Sequence, residues 1–291
     1  MSVGRLAALA AVLVSTATLA AQSSVWEVTK GPGKLYLGGT CHVLRPRDLP
    51  LPREFDLAYA RAQALYFETD IATLSTPETQ RELAASGRFA DGHTLEQALS
   101  PAAWQAVRRY AEKNDLPLAM VSELKPWMLV LLMANLELQK LGVTQEGVDL
   151  HFFKLAGPAG KSTHGLESVA EHLAFVTGLG AGHESEMVLN SLEELDTIPA
   201  EMATILAAWK RGDVAALDRT MLEEMRTKYP AIYAELILRR NQAWLPQIER
   251  LLTTPEVEFV LVGAGHLAGP DGLLAALKRR GCKVTQLRAN D

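Results

Sequence analysis

Four consecutive apolar residues, Phe259-Val260-Leu261-Val262, run without a polar partner straight into Gly263-Ala264-Gly265-His266. A half-exposed strand would alternate, so an unbroken run bounded by glycine suits a strand covered on both faces. Such a strand needs a layer on each side. The residues that follow begin to supply one: Asp271 to Arg280 reads as a helix stopped by Gly281, and Lys283 to Leu287 as a closing strand. The expected fold class is therefore α/β, a mixed sheet with many flanking helices.

The other end of the chain speaks the same language. Val25 to Thr29 and Lys34 to Gly38 flank Gly31-Pro32-Gly33 and read as a hairpin. A proline-rich link leads into Phe55, Ala58, Tyr59 and Ala62, spaced to form one helix face, and Ala64 to Thr69 reads as a strand. From Thr76 to Thr253 the pattern is mostly helical, with starts expected at Ser100-Pro101 and at Ser122 before Pro126, and with Trp127, Met128 and Leu131 as core. Strand, Gly-x-x-His, helix and strand thus occur twice, near Leu35 to Thr69 and near Phe259 to Leu287. The repetition suggests two related halves.

Residues 1–20 carry Arg5, a short apolar stretch from Leu6 to Val14 and small residues up to Ala20, the order of a secretory signal cut before Ala21. Residues 21–291 are then expected to form one α/β domain with a helical middle, periplasmic or secreted, with no membrane span after cleavage. With 34 acidic and 29 basic residues and no basic run, nucleic acid is not an expected partner. Two cysteines, Cys41 and Cys282, permit one disulfide and exclude a disulfide scaffold. The oligomeric state is left open.

Candidate chemistry gathers at strand ends. Gly39-Thr40-Cys41-His42 and Gly263-Ala264-Gly265-His266 each close an apolar strand, where loops of open α/β sheets form ligand sites. Gly180-Ala181-Gly182-His183 has the same letters as the second, yet lies in helical context and reads as a helix start. Glu68 and Asp70 end another strand and share a face by the two-residue period, which suits metal ligation or acid–base work, although a solvated strand end is the plainer reading. Glu167 follows a short strand beginning near Lys161. Arg240 and Trp244 share a helix face, where an arginine could meet a carboxylate or an oxyanion. His93, His151, His164 and His172 read as structural or surface residues.

Several of these segments together resemble the TraB/GumN family, related to the Tiki and PrgY proteins. The resemblance rests on Tyr36-Leu37-Gly38-Gly39-Thr40-Cys41-His42, Leu49-Pro50-Leu51-Pro52, Phe67-Glu68-Thr69-Asp70, Gly147-Val148-Asp149, Gly165-Leu166-Glu167, Arg240-Asn241 with Trp244, and Val262-Gly263-Ala264-Gly265-His266-Leu267. It implies a fold like that of erythromycin esterase and the haem-binding ChaN proteins, with two halves around a cleft. It also implies a metal-dependent protease centre, with manganese or cobalt, on His42, His266 and Glu68. The expected function is an exported metal-dependent hydrolase acting on a peptide or small-molecule substrate. Glu167 or Asp70 would take the water proton and Arg240 would meet the oxyanion. Two histidines and one carboxylate fit zinc, and oxygen-rich completion would favour manganese. The alternatives are a non-enzymatic protein holding haem, iron or a small ligand, and a metal-independent His/Glu esterase.

Overall fold

The computed structural model describes residues 22–90 and 92–290. The signal read at residues 1–20 lies outside them. Among the described residues six strands form one mixed sheet: β1 (Gln22–Lys30), β2 (Gly33–Thr40), β3 (Ala64–Thr69), β4 (Ser162–Glu167), β5 (Glu258–Gly263) and β6 (Lys283–Arg288), in the order β4-β3-β5-β2-β1-β6. Strands β4, β3, β5 and β2 are mutually parallel, and β1 runs antiparallel to both β2 and β6. The fold is α/β, as the sequence implies.

All six residues of β5 are buried, and alternation sends its four apolar residues, Phe259 to Val262, to two cores in turn. Phe259 and Leu261 pack with Phe55 and Ala58 of the helix Arg53–Arg61, Phe152 and Trp209. Val260 and Val262 pack on the opposite face with Trp244 and Ile248, and with Leu273, Leu274 and Leu277 of the helix Leu273–Arg279. Removing Phe259 would cost about 3–5 kcal/mol, the usual penalty for deleting a fully buried aromatic.

The twin segments leave neighbouring strands in opposite directions. From β2 the chain passes through the helix Arg53–Arg61 to β3, on the far side of β5; from β5 it passes through Leu273–Arg279 to β6, beyond β2 and β1. Right-handed crossovers running opposite ways put their helices on opposite faces, as the two cores require. The boundary between β2 and β5 is thus the switch point at which open α/β sheets bind ligands, beyond the carboxyl ends of the strands.

The helical middle builds a third core from Leu95, Trp104, Val107, Tyr110, Leu129, Met133 and Val188. Ser100 caps the helix Pro101–Lys113 through the Ala103 amide. Ser122 does not start the next helix: it closes Leu118–Ser122, and Lys125 precedes Pro126–Lys140. Trp127 is buried, but Leu131 is 43% exposed, because this helix is apolar on more than one face and only one face finds the core. Cys41 and Cys282 are free thiols. Strand β6 runs parallel to β2, so the residue leaving β2 and the one entering β6 lie at opposite ends of the sheet. No helix among the described residues is long and apolar enough to cross a membrane.

Candidate active site at the strand ends

The carboxyl ends of four parallel strands deliver the site. His42 follows β2, Glu68 lies near the end of β3, Glu167 ends β4, and His266 sits in the short turn Ala264–Leu267 after β5. Arg240 reaches them from the first turn of the helix Arg240–Leu251. Trp209 donates its indole N–H to the Gly39 carbonyl at 2.7 Å, which fixes the backbone leading to His42.

Glu68 is the centre. Its Oε1 accepts the Gly263 N–H at 2.7 Å, and lies 3.8 Å from Nε2 of His42 and 3.7 Å from Nε2 of His266. Its Oε2 accepts from Arg240 Nη2 at 2.6 Å. A Cβ on Gly263 would stand 3.1 Å from Glu68 Oε1 and 3.2 Å from His42 Nε2, tighter than ordinary contact. Burial alone would raise the Glu68 carboxyl, but His266, His42 and Arg240 outweigh it and hold the group well below the usual carboxylate range.

Each imidazole is gripped by its other nitrogen. His42 Nδ1 donates to Asp149 Oδ2 at 2.9 Å, and Asp149 Oδ1 accepts from Thr40 Oγ1 at 3.0 Å. His266 Nδ1 donates to Asn241 Oδ1 at 2.8 Å, and Asn241 Nδ2 donates to the His266 and Asp271 carbonyls. These bonds fix Nδ1 as the donor on each ring and turn each Nε2 toward Glu68. The partners differ in charge and so does the outcome. Asp149 pushes His42 up, to about 9, although its side chain is 60% exposed and water screens part of that attraction. Burial pushes His266 down, to about 4, with Arg240 and His42 reinforcing and Glu68 opposing.

Glu167 serves Arg240. Its Oε1 accepts from Arg240 Nη2 at 2.7 Å and from His172 Nδ1 at 2.8 Å; its Oε2 accepts from Arg240 Nε and Trp244 Nε1, both at 3.1 Å. Burial raises its carboxyl, and the bonds from His172 and Arg240 more than reverse that. Glu68, Glu167 and His172 also bring ligand atoms within 4.8 Å of one another. That cluster already contains its cation, because the Arg240 guanidinium spans both carboxylates.

The structure brings His42, Glu68, Glu167, Arg240 and His266 together. Asp70 is not among them: it has turned to cap the helix Ile71–Leu74, accepting from Ala72 N and Thr73 Oγ1. The two-residue period breaks where β3 ends, so Asp70 does not share the face of Glu68. His172, read as structural or surface, holds Glu167. His183 starts a helix with its side chain 73% exposed. Asp149, Asn241 and Thr40 take their roles only in the fold, although Gly147-Val148-Asp149 and Arg240-Asn241 are among the motifs of the sequence. The surface concavity lined by Glu27, Lys34, Arg61, Thr285, Gln286 and Leu287 is a different place. Converging proton carriers, not depth, mark the site.

Comparison with known proteins gives the family of the chain. The model of the TraB/PrgY/gumN family matches residues 24–286. An uncharacterized protein of Treponema pallidum (strain Nichols) is 24% identical over 272 residues, covering 88% of this chain and 80% of its own. The uncharacterized protein YbaP of Escherichia coli (strain K12) is 22% identical over 249 residues, covering 85% and 89%. No solved structure matches the chain.

Proposed function

The chain belongs to the TraB/PrgY/gumN family, and from that membership and the geometry at the strand ends we propose a divalent-metal-dependent hydrolase of peptide-type bonds, acting in the periplasm or outside the cell. One observation carries the reading. Glu68 Oε1 lies 3.8 and 3.7 Å from the two Nε2 atoms, too far for hydrogen bonds and close to the roughly 3.4 Å edge of a tetrahedron of donors sharing one ion. What supports a shared ion is that both imidazoles are anchored through Nδ1, as metal-bound histidines are, and His266 Nε2 would exchange its Arg240 Nη1 contact for the ion.

When bound, the ion supplies Lewis-acid polarisation of a carbonyl and acidifies water toward a pKa of roughly 7. Asp149 and Asn241 hold the two rings in register. Glu167, with both oxygens occupied, positions Arg240 and is not free to take a proton. Arg240 brings positive charge beside His266, with Nη1 3.2 Å from its Nε2, where negative charge on a substrate oxygen would be stabilised.

The test is hydrolysis of a fluorogenic peptide panel by protein stripped with chelator and then reloaded, beside His42→Ala and His266→Ala. Activity is expected to vanish on stripping, return with the ion, and be absent from both variants while their circular dichroism is unchanged. Full activity after exhaustive chelation would overturn the reading.

The Arg240 contact on His266 Nε2 favours a second reading. There the His42–Asp149 pair acts without metal as acid and base, with Arg240, oriented by His266, binding the oxyanion. Activity that survives chelation but is lost in Asp149→Asn selects it.

A further inference from the structure

We propose that Tyr233 and Asp271 are positioning residues that keep the proton of the His266 ring on Nδ1, acting through the side-chain amide of Asn241. This rests on the reading above, in which His266 works through Nε2, and adds the residues that decide which ring nitrogen is available.

Donors and acceptors fix the order. Asn241 Nδ2 donates to two main-chain carbonyls, that of His266 at 3.2 Å and that of Asp271 at 3.0 Å. A carbonyl only accepts, so the NH2 group faces them and Oδ1 faces the ring. Oδ1 also only accepts, and its 2.8 Å contact with His266 Nδ1 puts the ring proton there. Nε2 is left as an acceptor. With the amide reversed, its NH2 would meet Nδ1 and the proton would move to Nε2. That proton would then point toward Arg240 Nη1, itself a donor, 3.2 Å away. Asn241 is buried, so water does not compensate a wrong orientation.

The Asp271 carbonyl is in place because the residue's own side chain is held. Tyr233, itself buried, donates to Asp271 Oδ2 at 2.9 Å. The Arg226 guanidinium lies 5.5 Å from the centre of the Tyr233 ring and forks onto Asp218, with Nη1 3.0 Å from Oδ1 and Nη2 3.2 Å from Oδ2. Gly269, with φ of +76°, brings the loop after His266 onto that ion pair, where a Cβ would stand 2.4 Å from Asp218 Oδ1. Two π-helical turns, Asp218–Leu222 and Ala234–Arg239, shape the same side. Met221 and Leu222 of the first and Ile237 of the second reach within 3.6 to 3.8 Å of where a Cβ on Gly265 would be. The second turn separates Tyr233, which grips the Asp271 side chain, from Asn241, which meets its carbonyl. Such turns recur where helices must re-aim side chains at functional sites.

Nitrogen–proton correlation spectra of the metal-stripped full chain, with 15N in the imidazoles, distinguish the two tautomers directly. Wild-type His266 is expected in the Nδ1–H form alone. Tyr233→Phe and Asp271→Ala are expected to show a second, Nε2–H form of His266, with the His42 signals unchanged because Asp149 holds that ring independently. Asp271→Asn keeps an acceptor for the Tyr233 hydroxyl and is expected to retain the wild-type pattern. Zn2+ affinity is expected to fall about tenfold in Tyr233→Phe, the lower end of the range for losing support behind a ligating histidine. Tyr233→Phe removes a single oxygen and carries the test where Asp271→Ala does not fold. A Tyr233→Phe protein, folded by thermal melt, whose His266 stays wholly in the Nδ1–H form would overturn the inference. So would equal disturbance of His42 and His266, which marks general loosening. A wild-type protein with the expected tautomer but no affinity for Zn2+ would overturn the metal reading and leave this assignment standing.

Discussion

Nδ1 of His42 lies 2.9 Å from Oδ2 of Asp149, across 107 positions of chain. The contact exists because the helix Val148–Ala156 begins against the end of β2, with the Val148 amide donating to the Cys41 carbonyl at 3.0 Å. Asp149 sets the ring's tautomer and direction. Asp149→Asn is expected to weaken divalent-ion binding by about 10–100-fold, as loss of a carboxylate behind a ligating histidine does. Calorimetric titration with Zn2+ checks this, and unchanged affinity would dismiss the role.

Gly147 makes that approach feasible. A Cβ at this position would stand 2.1 Å from the His42 carbonyl oxygen and 2.4 Å from that of Cys41, both backbone atoms that cannot step aside. Gly147→Ala is expected to cost about 1–3 kcal/mol, the range for forced overpacking, and to reduce ion binding as well. Urea denaturation of the variant reads the first and titration the second.

Ion uptake should depend on pH with a definite sign. His42, raised to about 9 by Asp149, carries a proton at pH 7, whereas His266, lowered to about 4 chiefly by burial, does not. Binding at pH 7 therefore releases about one proton per ion, and affinity rises with pH until it levels above about 9. Titrations in buffers of different ionisation enthalpy count the protons. Zero release at pH 7 would contradict the assignment.

Away from the site, Asp48 is 5% exposed and accepts from Arg45 Nε at 2.7 Å and Lys210 Nζ at 3.1 Å. Arg45 chiefly, with Lys210, lowers its carboxyl to about 2 against the opposing effect of burial. A depressed carboxylate stabilises the fold above its unfolded value near 3.8 and loses that contribution as pH falls toward 2. Asp48→Asn is expected to cost about 2 kcal/mol at pH 7 and little at pH 2. Denaturation midpoints across that range give the comparison.

What was legible from residues alone follows a physical line. The β5 run, the hairpin, the Ala64–Thr69 strand and the strand-end histidines are local patterns, and periodicity and glycine placement reveal them. Glu68, Glu167 and Arg240 could be singled out as strand-end or helix-face charges. Their division of labour could not, because it depends on which oxygen meets which nitrogen after folding. Asp149, Asn241 and His172 do their work through contacts made only in the folded chain, so no spacing rule announces them. Asp70, Ser122 and Leu131 depart from local periodicity or capping pattern for one reason: each lies where its element ends or turns another face to solvent.

Anomalous diffraction from crystals grown with Zn2+, recorded at the zinc edge, bears most directly on the site. One strong peak is expected within bonding distance of His42 Nε2, His266 Nε2 and Glu68 Oε1 together, with Arg240 still on Glu68 Oε2. A peak bound elsewhere, or none at those three atoms, would contradict a shared ion at the β2–β5 switch point.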